Sequence, residues 1–265
     1  MCLILVAWQT HPAYPLVVAA NRDEFFSRPT APAAFWRGGQ ILAGRDLRDG
    51  GTWMGVTRSG RFAALTNFRN PGLHKENRTS RGELVAEFLA ASEEPQAWLE
   101  WKRAEADRYN PFNLLVGDRQ SLACYSSVGD ELRSLGAGIY GLSNHLLDTP
   151  WPKVQAAKSS LSLALAALPA TAPLFELLRD DAVHADAALP RTGVSLEWER
   201  LLSAAFVKAP SYGTRSSTVL IVSRGDTPIF DEQTWLTGGI AGGRSRFRFR
   251  RTDAASLGRA ESPPL

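Results

Sequence analysis

The chain opens on two apolar runs. Residues 2–8 (CLILVAW) and 16–22 (LVVAANR) are nearly continuous in apolar, β-forming side chains, and both are too short for buried helices. The Pro12 to Pro15 stretch between them carries turn chemistry. Continuous apolarity, in place of strict alternation, predicts a hairpin whose strands are covered on both faces. Gly50-Gly51 opens a further strand, Thr52 to Thr57, and the turn Arg58-Ser59-Gly60 leads into its partner over residues 61–68. At Ser80 the period changes. Ser80-x-x-Glu83 has the form of a capping box, and Leu84, Val85, Phe88 and Leu89 recur at helical spacing. Pro95 suits the first turn of a second helix, with Trp98, Leu99 and Trp101 on its buried side. Strand-like runs return at 112–117, 121–127 and 138–143. Pro150 and Pro152 open a helix through about Leu168, another starts near Thr171, and Ser195 caps one from Leu196 to about Ala205. Strands at 214–223 and 227–236, and one more in the tail that starts at Gly242, complete the pattern.

Strands in hairpins, with helices in separate blocks between them, predict an α+β chain and not repeated βαβ units. Nine or more strands are too many for one small sheet. Two mainly antiparallel sheets packed face to face, with helices on the outer faces, accommodate them. No Ser/Gly/Pro linker or charge block divides the chain, so residues 1–252 read as one domain and 253–265, ending Ser-Pro-Pro-Leu, as a flexible tail.

Composition narrows the functional classes. With 44% apolar and 22% charged residues in 265, the chain is neither disordered nor short of core-forming side chains. A net charge of +3 is not the footprint of a nucleic-acid binder. The interleaved Arg and Phe of residues 244–251 read better as a terminal strand, Phe247 and Phe249 inward, Arg246, Arg248 and Arg250 outward. Two cysteines, Cys2 and Cys124, make no disulfide framework and suit a reducing compartment. The first apolar run is too short to span a membrane and has no basic segment before it, so no transmembrane segment and a cytoplasmic location are expected. The four histidines, His11, His74, His145 and His184, show no metal spacing, and Gly50-Gly51 lacks the Lys-Ser/Thr of a phosphate loop.

The candidate chemistry lies at the start of the chain. Removal of Met1 from ahead of Cys2 would leave a thiol beside its own α-amine, which can act as its base. The bland alternative is a small apolar side chain that begins a buried strand. If the two runs pair, Asn21-Arg22-Asp23-Glu24 lies beside residue 2, where an Asp can hold the ammonium and an Arg can lower the thiol pKa. Alternation sends Asn21 and Asp23 to one face and Arg22 to the other; with Asn21 and Asp23 facing Cys2, Arg22 reaches it only through a bulge. Asn144 and Asn67 can serve an oxyanion or ordinary turns. Arg215 alternates with Ser217, Val219 and Ile221, and on their inward face it needs an anion from protein or ligand. Trp53 can line a pocket. For haem, His145 is the first axial-ligand candidate and Cys2 the second.

These segments carry a resemblance. Asn21-Arg22-Asp23-Glu24 is the signature of the NRDE-domain family, which includes the eukaryotic transport and Golgi organisation protein two. Met1-Cys2, AGRD at 43–46, GGTWMG at 50–55, LTNFR at 65–69, GLSN at 141–144, LDTPWPK at 147–153 and YGTRSS at 212–217 resemble that family's blocks in the same order. The resemblance implies an Ntn-hydrolase-like four-layer αββα sandwich. It also implies a distant similarity to cysteine-dependent penicillin V acylases and bile-salt hydrolases. Carried over residue by residue, Cys2 is the nucleophile, Asp23 holds its amine, Asn144 serves the oxyanion and Arg215 is the late arginine. Ala20 stands where that group's second-strand arginine would be, and Arg22 occupies the variable position between Asn21 and Asp23. The family implies intracellular handling of haem or a similar amphipathic ligand, with no required cofactor and haem as cargo. The alternative is an N-terminal-cysteine hydrolase of an amide or acyl thioester. Asn21, Arg22, Trp53, Asn67 and His145 are the expected ligand-binding residues.

Overall fold

In the computed structural model, which describes residues 2–225 and 227–252 and only the main chain of Cys2, thirteen strands form two antiparallel sheets. In the first sheet β10 (Gly138–Leu142), β1 (Cys2–Trp8), β2 (Leu16–Phe25), β11 (Tyr212–Val222), β12 (Ile229–Leu236) and β13 (Ile240–Arg248) lie side by side in that order. The second runs β3 (Thr30–Phe35), β4 (Ile41–Asp46), β5 (Met54–Thr57), β6 (Phe62–Asn67), β7 (Phe112–Gly117), β8 (Leu122–Ser126) and β9 (Glu131–Ser134). Helices α1 (Gly82–Ala90) and α2 (Pro95–Arg103) cover the outside of the second sheet, and α3 (Pro152–Ala164) and α4 (Ala172–Leu178) cover the first. The short α5 (Leu196–Leu201) precedes β11. The expected αββα sandwich is therefore present. The expected tail at 253–265 lies outside the described residues.

The continuous apolar runs are explained by three apolar layers. On one face of the first sheet Ile4, Val6, Val18, Leu220 and Phe230 meet Leu42, Met54, Val56 and Phe62 of the second. On its other face Leu3, Leu5, Val17, Val219 and Ile221 pack on Val154, Leu161, Leu174 and Leu178 of the helices. The second sheet's outer face buries Leu84, Val85, Phe88 and Leu89 of α1 and Trp98 and Leu99 of α2, the stripe that helical spacing picked out.

Several local expectations are corrected. β3 and β4 were not legible because Pro32 and Gly44 interrupt them; Pro32 is tolerated because β3 is an edge strand. Exposed β9 also lacked a signal. The capping box does not form. Helix α1 starts after Arg81, and Ser80 gives only its main-chain carbonyl, to Glu83 N–H at 3.1 Å. Trp101 is 60% exposed, while Lys102 is buried beside it and donates to Glu105 at 2.9 Å. Helix α5 ends at Leu201, short of Ala205, although Ser195 does cap it through Trp198 N–H.

The inter-sheet layer is apolar at one end, around Trp8, Leu16, Val222 and Phe249, and polar at the other. At the polar end the buried side chains include Arg22, Asp46, Ser216, Thr218 and Glu232. Two bulges shape this end. One between Ala31 and Ala34 in β3 leaves Ala33 N–H free to cross between sheets and donate to Glu232 Oε1 at 2.7 Å. The other falls between Thr214 and Ser216 and makes Arg215 the extra residue.

Close main-chain approach sets one limit on sequence here. A Cβ on Gly51 would lie 2.4 Å from the Gly82 carbonyl carbon, and Thr52 N–H donates to Gly82 O at 3.1 Å. Gly51→Ala should therefore cost about 1–3 kcal/mol of stability, read as a lowered urea midpoint with an unchanged slope. A midpoint equal to wild type would show that the β4–β5 turn can move away from α1.

Candidate functional site

The register of β1 against β2 positions the site. It runs without interruption from Trp8↔Leu16 to Cys2↔Arg22. Directly opposed residues of an antiparallel pair project to the same face. Arg22 therefore stands opposite the main chain of residue 2 and turns toward the second sheet, while Asn21 and Asp23 turn toward the helices. The bulge was expected for an arrangement in which Asn21 and Asp23 face Cys2; the main-chain register instead pairs residue 2 with Arg22. On the other side β1 pairs with β10 up to Ile4↔Leu142, so the chain leaving β10 at Ser143-Asn144 passes the start of β1.

Arg22 is 6% exposed, and four groups hold it. Its guanidinium carbon lies 4.3 Å from the Trp53 ring centroid. Nη2 is 3.7 Å from Asp46 Oδ2 and 3.9 Å from Glu24 Oε2, and Nη1 donates to Thr30 Oγ1 at 3.4 Å. Arg28 completes the network, donating to Asp46 at 2.6 Å and Asp49 at 2.5 Å. Burial works to raise the Asp46 pKa, but Arg28 and the N–H groups of Asp49 and Arg48 outweigh it and hold the carboxyl below its ordinary range. Trp53 fits against this network because residue 44 is glycine: a Cβ there would lie 2.4 Å from its ring.

These residues floor an open cleft of about 330 Å³. Arg22, Asp23, Trp53 and Asn67 line its inner part, and Lys75, Arg78 and Arg81, from the segment before α1, line its rim. Behind the floor lies a buried charge cluster. Asp23 accepts from Thr214 Oγ1 at 2.7 Å, and its main-chain oxygen accepts from Tyr212 Oη at 3.1 Å. Burial raises the Asp23 pKa, against the opposing pull of Lys153, the Thr214 bond and Arg69. Lys153 donates to Leu202 O at 2.8 Å. Arg69 donates to Glu199 at 2.7 Å and lies 4.6 Å from the Trp151 ring centroid. Arg69, Lys153 and Glu199 were missed as site components, although Arg69 and Lys153 both lie inside the motif blocks LTNFR and LDTPWPK.

The remaining expected residues divide. Asn144 is fully buried; its Nδ2 donates to Asn67 O at 2.8 Å, and its own carbonyl accepts from Arg69 N–H at 2.7 Å. Asn21 does not serve the main cleft. Its amide donates to Leu178 O at 2.7 Å and Ala205 O at 2.8 Å and accepts from Ser217 at 2.6 Å, tying β2 to the helical layer. His145 bonds Thr149 Oγ1 at 2.8 Å and stacks near Phe68, outside the residues that line the cleft. Burial and the Arg69 charge lower its pKa. Arg215 leaves the face of Ser217, Val219 and Ile221 through its bulge. It donates to the carbonyls of Phe25 (2.8 Å), Arg28 (3.1 Å) and Phe26 (3.4 Å), so main-chain oxygens fill the part an anion was expected to play. Cys124 is buried, and burial pushes its thiol up to about 12, which disfavours the thiolate. Among the described residues no group of His, Cys, Asp and Glu could hold a metal ion.

The family model described as Transport and Golgi organisation 2 matches residues 1–237. The Transport and Golgi organization protein 2 homolog of Bos taurus is 37% identical over 261 residues, covering 89% of this chain and 94% of that protein. The homolog from Homo sapiens is 36% identical with the same coverage, and the Drosophila melanogaster protein 28% identical over 90% of this chain and 93% of its own. Among solved structures, a C2A mutant of conjugated bile acid hydrolase from Clostridium perfringens aligns with a TM-score of 0.45 at 12% identity, over 94% of this chain and 92% of that one. A Caenorhabditis elegans ortholog of N-acylethanolamine-hydrolyzing acid amidase aligns with a TM-score of 0.41 at 12% identity, over 83% and 92%.

The raised Asp23 pKa has a defined sign in stability. Its folded value exceeds the ordinary 3.8, so the associated stability is fully present below that value and is lost as pH rises through the folded value. Asp23→Asn removes the titration. The stability of the variant relative to wild type should therefore rise between pH 3.8 and neutrality, whatever the offset at the acid end. Urea midpoints of both proteins across that range test this, and a constant gap would show that Asp23 is not destabilised by its burial.

Proposed function

The chain belongs to the Transport and Golgi organisation 2 family, and from that premise we propose that it is an N-terminal-cysteine hydrolase acting on a polar amide or acyl thioester. The observation that carries this reading is the β1–β2 register, which opposes residue 2 to Arg22 on the floor of a charged cleft. Once Met1 is removed, the Cys2 α-amine, with an ordinary pKa of about 7.7–8.0, takes the thiol proton. The thiolate attacks the carbonyl carbon, forming a C–S bond and an oxyanion. Collapse of that adduct breaks the C–N or C–S bond to the leaving group, which receives the proton from the ammonium. Water then attacks the acyl-cysteine, giving one proton to the amine. The acid is released, and the thiol is regenerated. Arg22 stabilises the thiolate electrostatically. Asn144 Nδ2 carries two hydrogens; one bonds Asn67 O, and the other is the candidate oxyanion donor.

The cleft supports this reading over haem carriage. Its lining is dominated by Arg, Lys, Asp and Glu, where a porphyrin would need an apolar slot. His145, the expected axial ligand, is outside the residues that line the cleft.

Two outcomes are expected. Intact mass of the protein purified from its own cytosol should lack Met1 and gain an acyl adduct on brief incubation with a panel of acyl thioesters and amides, and Cys2→Ser should abolish it. Retained Met1, or no Cys2-dependent adduct, defeats the proposal; a saturable visible-absorption change on haem titration would then put carriage first. The second outcome concerns Arg22. Arg22→Gln should raise the apparent thiol pKa by roughly one unit, measured as the pH dependence of Cys2 alkylation by iodoacetamide. An unshifted profile would remove Arg22 from thiol activation.

A further inference from the structure

Trp53 lines two clefts. Beyond the charged one lies a second, of about 350 Å³, where edge strand β3 crosses the rim of β11, β12 and β13. A small void bordered by Ile4, Arg22, Trp53 and Thr218 adjoins them, and Trp53, on which Arg22 stacks, is a side chain common to all three. The second cleft is less charged in character. Ala31, Pro32, Trp53 and Leu236 contribute apolar surface to it. Its two arginines are already engaged, Arg215 with three main-chain carbonyls and Arg244 with Asp231 at 2.8 Å through both Nε and Nη2.

One group in this cleft lacks an obvious purpose in the fold. Ser216 is 4% exposed, lines the cleft, and its buried Oγ has no hydrogen-bond partner among the described residues. Buried hydroxyls are nearly always bonded, so Ser216 Oγ, unbonded at the cleft wall, is available to a hydrogen-bonding group that enters beside it. Glu232 beside it does not fill that role: its two oxygens accept from Ala33 N–H at 2.7 Å and Thr218 Oγ1 at 3.2 Å. Glu232 is thereby fixed as part of the floor. Its burial also raises its pKa, which lowers the anionic character of the cleft.

We propose that this second cleft is the acyl subsite of the same active site, and that it takes a neutral chain carrying a hydroxyl or similar hydrogen-bonding group, which meets Ser216 Oγ. An unfunctionalised alkyl chain would cover Ser216 and leave it unbonded. An anionic chain would find Arg244 already paired with Asp231 and the Glu232 carboxyl in the floor. A neutral chain with one polar group satisfies both conditions, and the volume is within the range that small ligands occupy. The inference rests on the hydrolase reading for its account of the substrate, but the binding preference can be measured without turnover.

The test uses matched N-acetylcysteamine thioesters: hexanoyl, and hydroxyhexanoyl with the hydroxyl on the third or on the terminal carbon. Binding is measured by calorimetry on Cys2→Ala, and kcat/KM on wild type. At least one hydroxylated probe should bind roughly five- to tenfold tighter than hexanoyl, and Ser216→Ala in the same background should erase that difference. Should Ser216→Ala not fold, Ser216→Cys takes its place, keeping the size while weakening the hydrogen bond. Equal affinity for all three probes, a preference that survives loss of the hydroxyl, or no binding of any probe overturns the subsite. A preference with no wild-type turnover would keep the subsite and defeat the hydrolase. Turnover without discrimination would do the reverse.

Discussion

The pairing of β1 with β2 determines what the rest of the molecule can do. Both strands are apolar on both faces, so the hydrophobic pattern alone leaves their parity open. Polar bonds fix it. Gln9 N–H donates to Pro15 O at 2.7 Å and closes the turn, and Arg224 reinforces that turn through Pro12 O at 2.7 Å and Ala13 O at 3.0 Å. At the far end Asn21 makes three bonds toward the helical layer and Ser217, so it cannot exchange sides with Arg22 without losing them. A slip of one residue would drive the Arg22 cation into the leucine-rich helical interface. The site is thus defined by a register that its own polar residues hold.

The polar end of the sandwich follows from the same pairing. Once Arg22 faces the second sheet, the layers cannot close there as they do around Trp8 and Phe249. The cation needs carboxylates, and Asp46 and Glu24 supply them from either side, with Trp53 lying flat against the guanidinium. The β3 bulge then brings a main-chain N–H to Glu232, stitching the corner with a hydrogen bond where apolar contact is absent. Buried charges in such a setting do little for net stability unless each is bonded. What they provide is a polar end of the sandwich, where the open cleft lies.

The apolar framework was legible because burial imposes period. The first hairpin, the stripes of α1 and α2, β7, β8, β11 and β12 all carried it, and the two-layer arrangement followed from the count of strands and their separation from the helices. The edge strands β3 and β9 were not, since an edge needs no continuous apolar run and tolerates Pro32 or charged residues. Of the site, Arg22, Asp23, Trp53 and Asn67 were marked by their motifs. Their sides were not, because alternation gives parity within a strand and only pairing gives it between strands. Arg215 was read onto the wrong face for a related reason: a bulge is one residue out of step, and nothing in Thr-Arg-Ser-Ser announces it.

The buried cluster of Asp23, Arg69, Lys153 and Glu199 links these observations. It joins the end of β2, the exit of β6, the start of α3 and α5, elements far apart in sequence, directly behind the floor of the cleft. Asp23 and Arg22 are adjacent in β2, so the strand carries a buried anion toward the helices and a buried cation toward the cleft. Each faces charges of opposite sign: Lys153 and Arg69 on one side, Asp46 and Glu24 on the other. The two faces differ in outcome: burial outweighs the cations around Asp23 and raises its pKa, whereas Arg22 has carboxylates at 3.7 and 3.9 Å. The Asn-Arg-Asp-Glu sequence on this account places two charged side chains on opposite faces of one sheet, beside the strand that begins at residue 2.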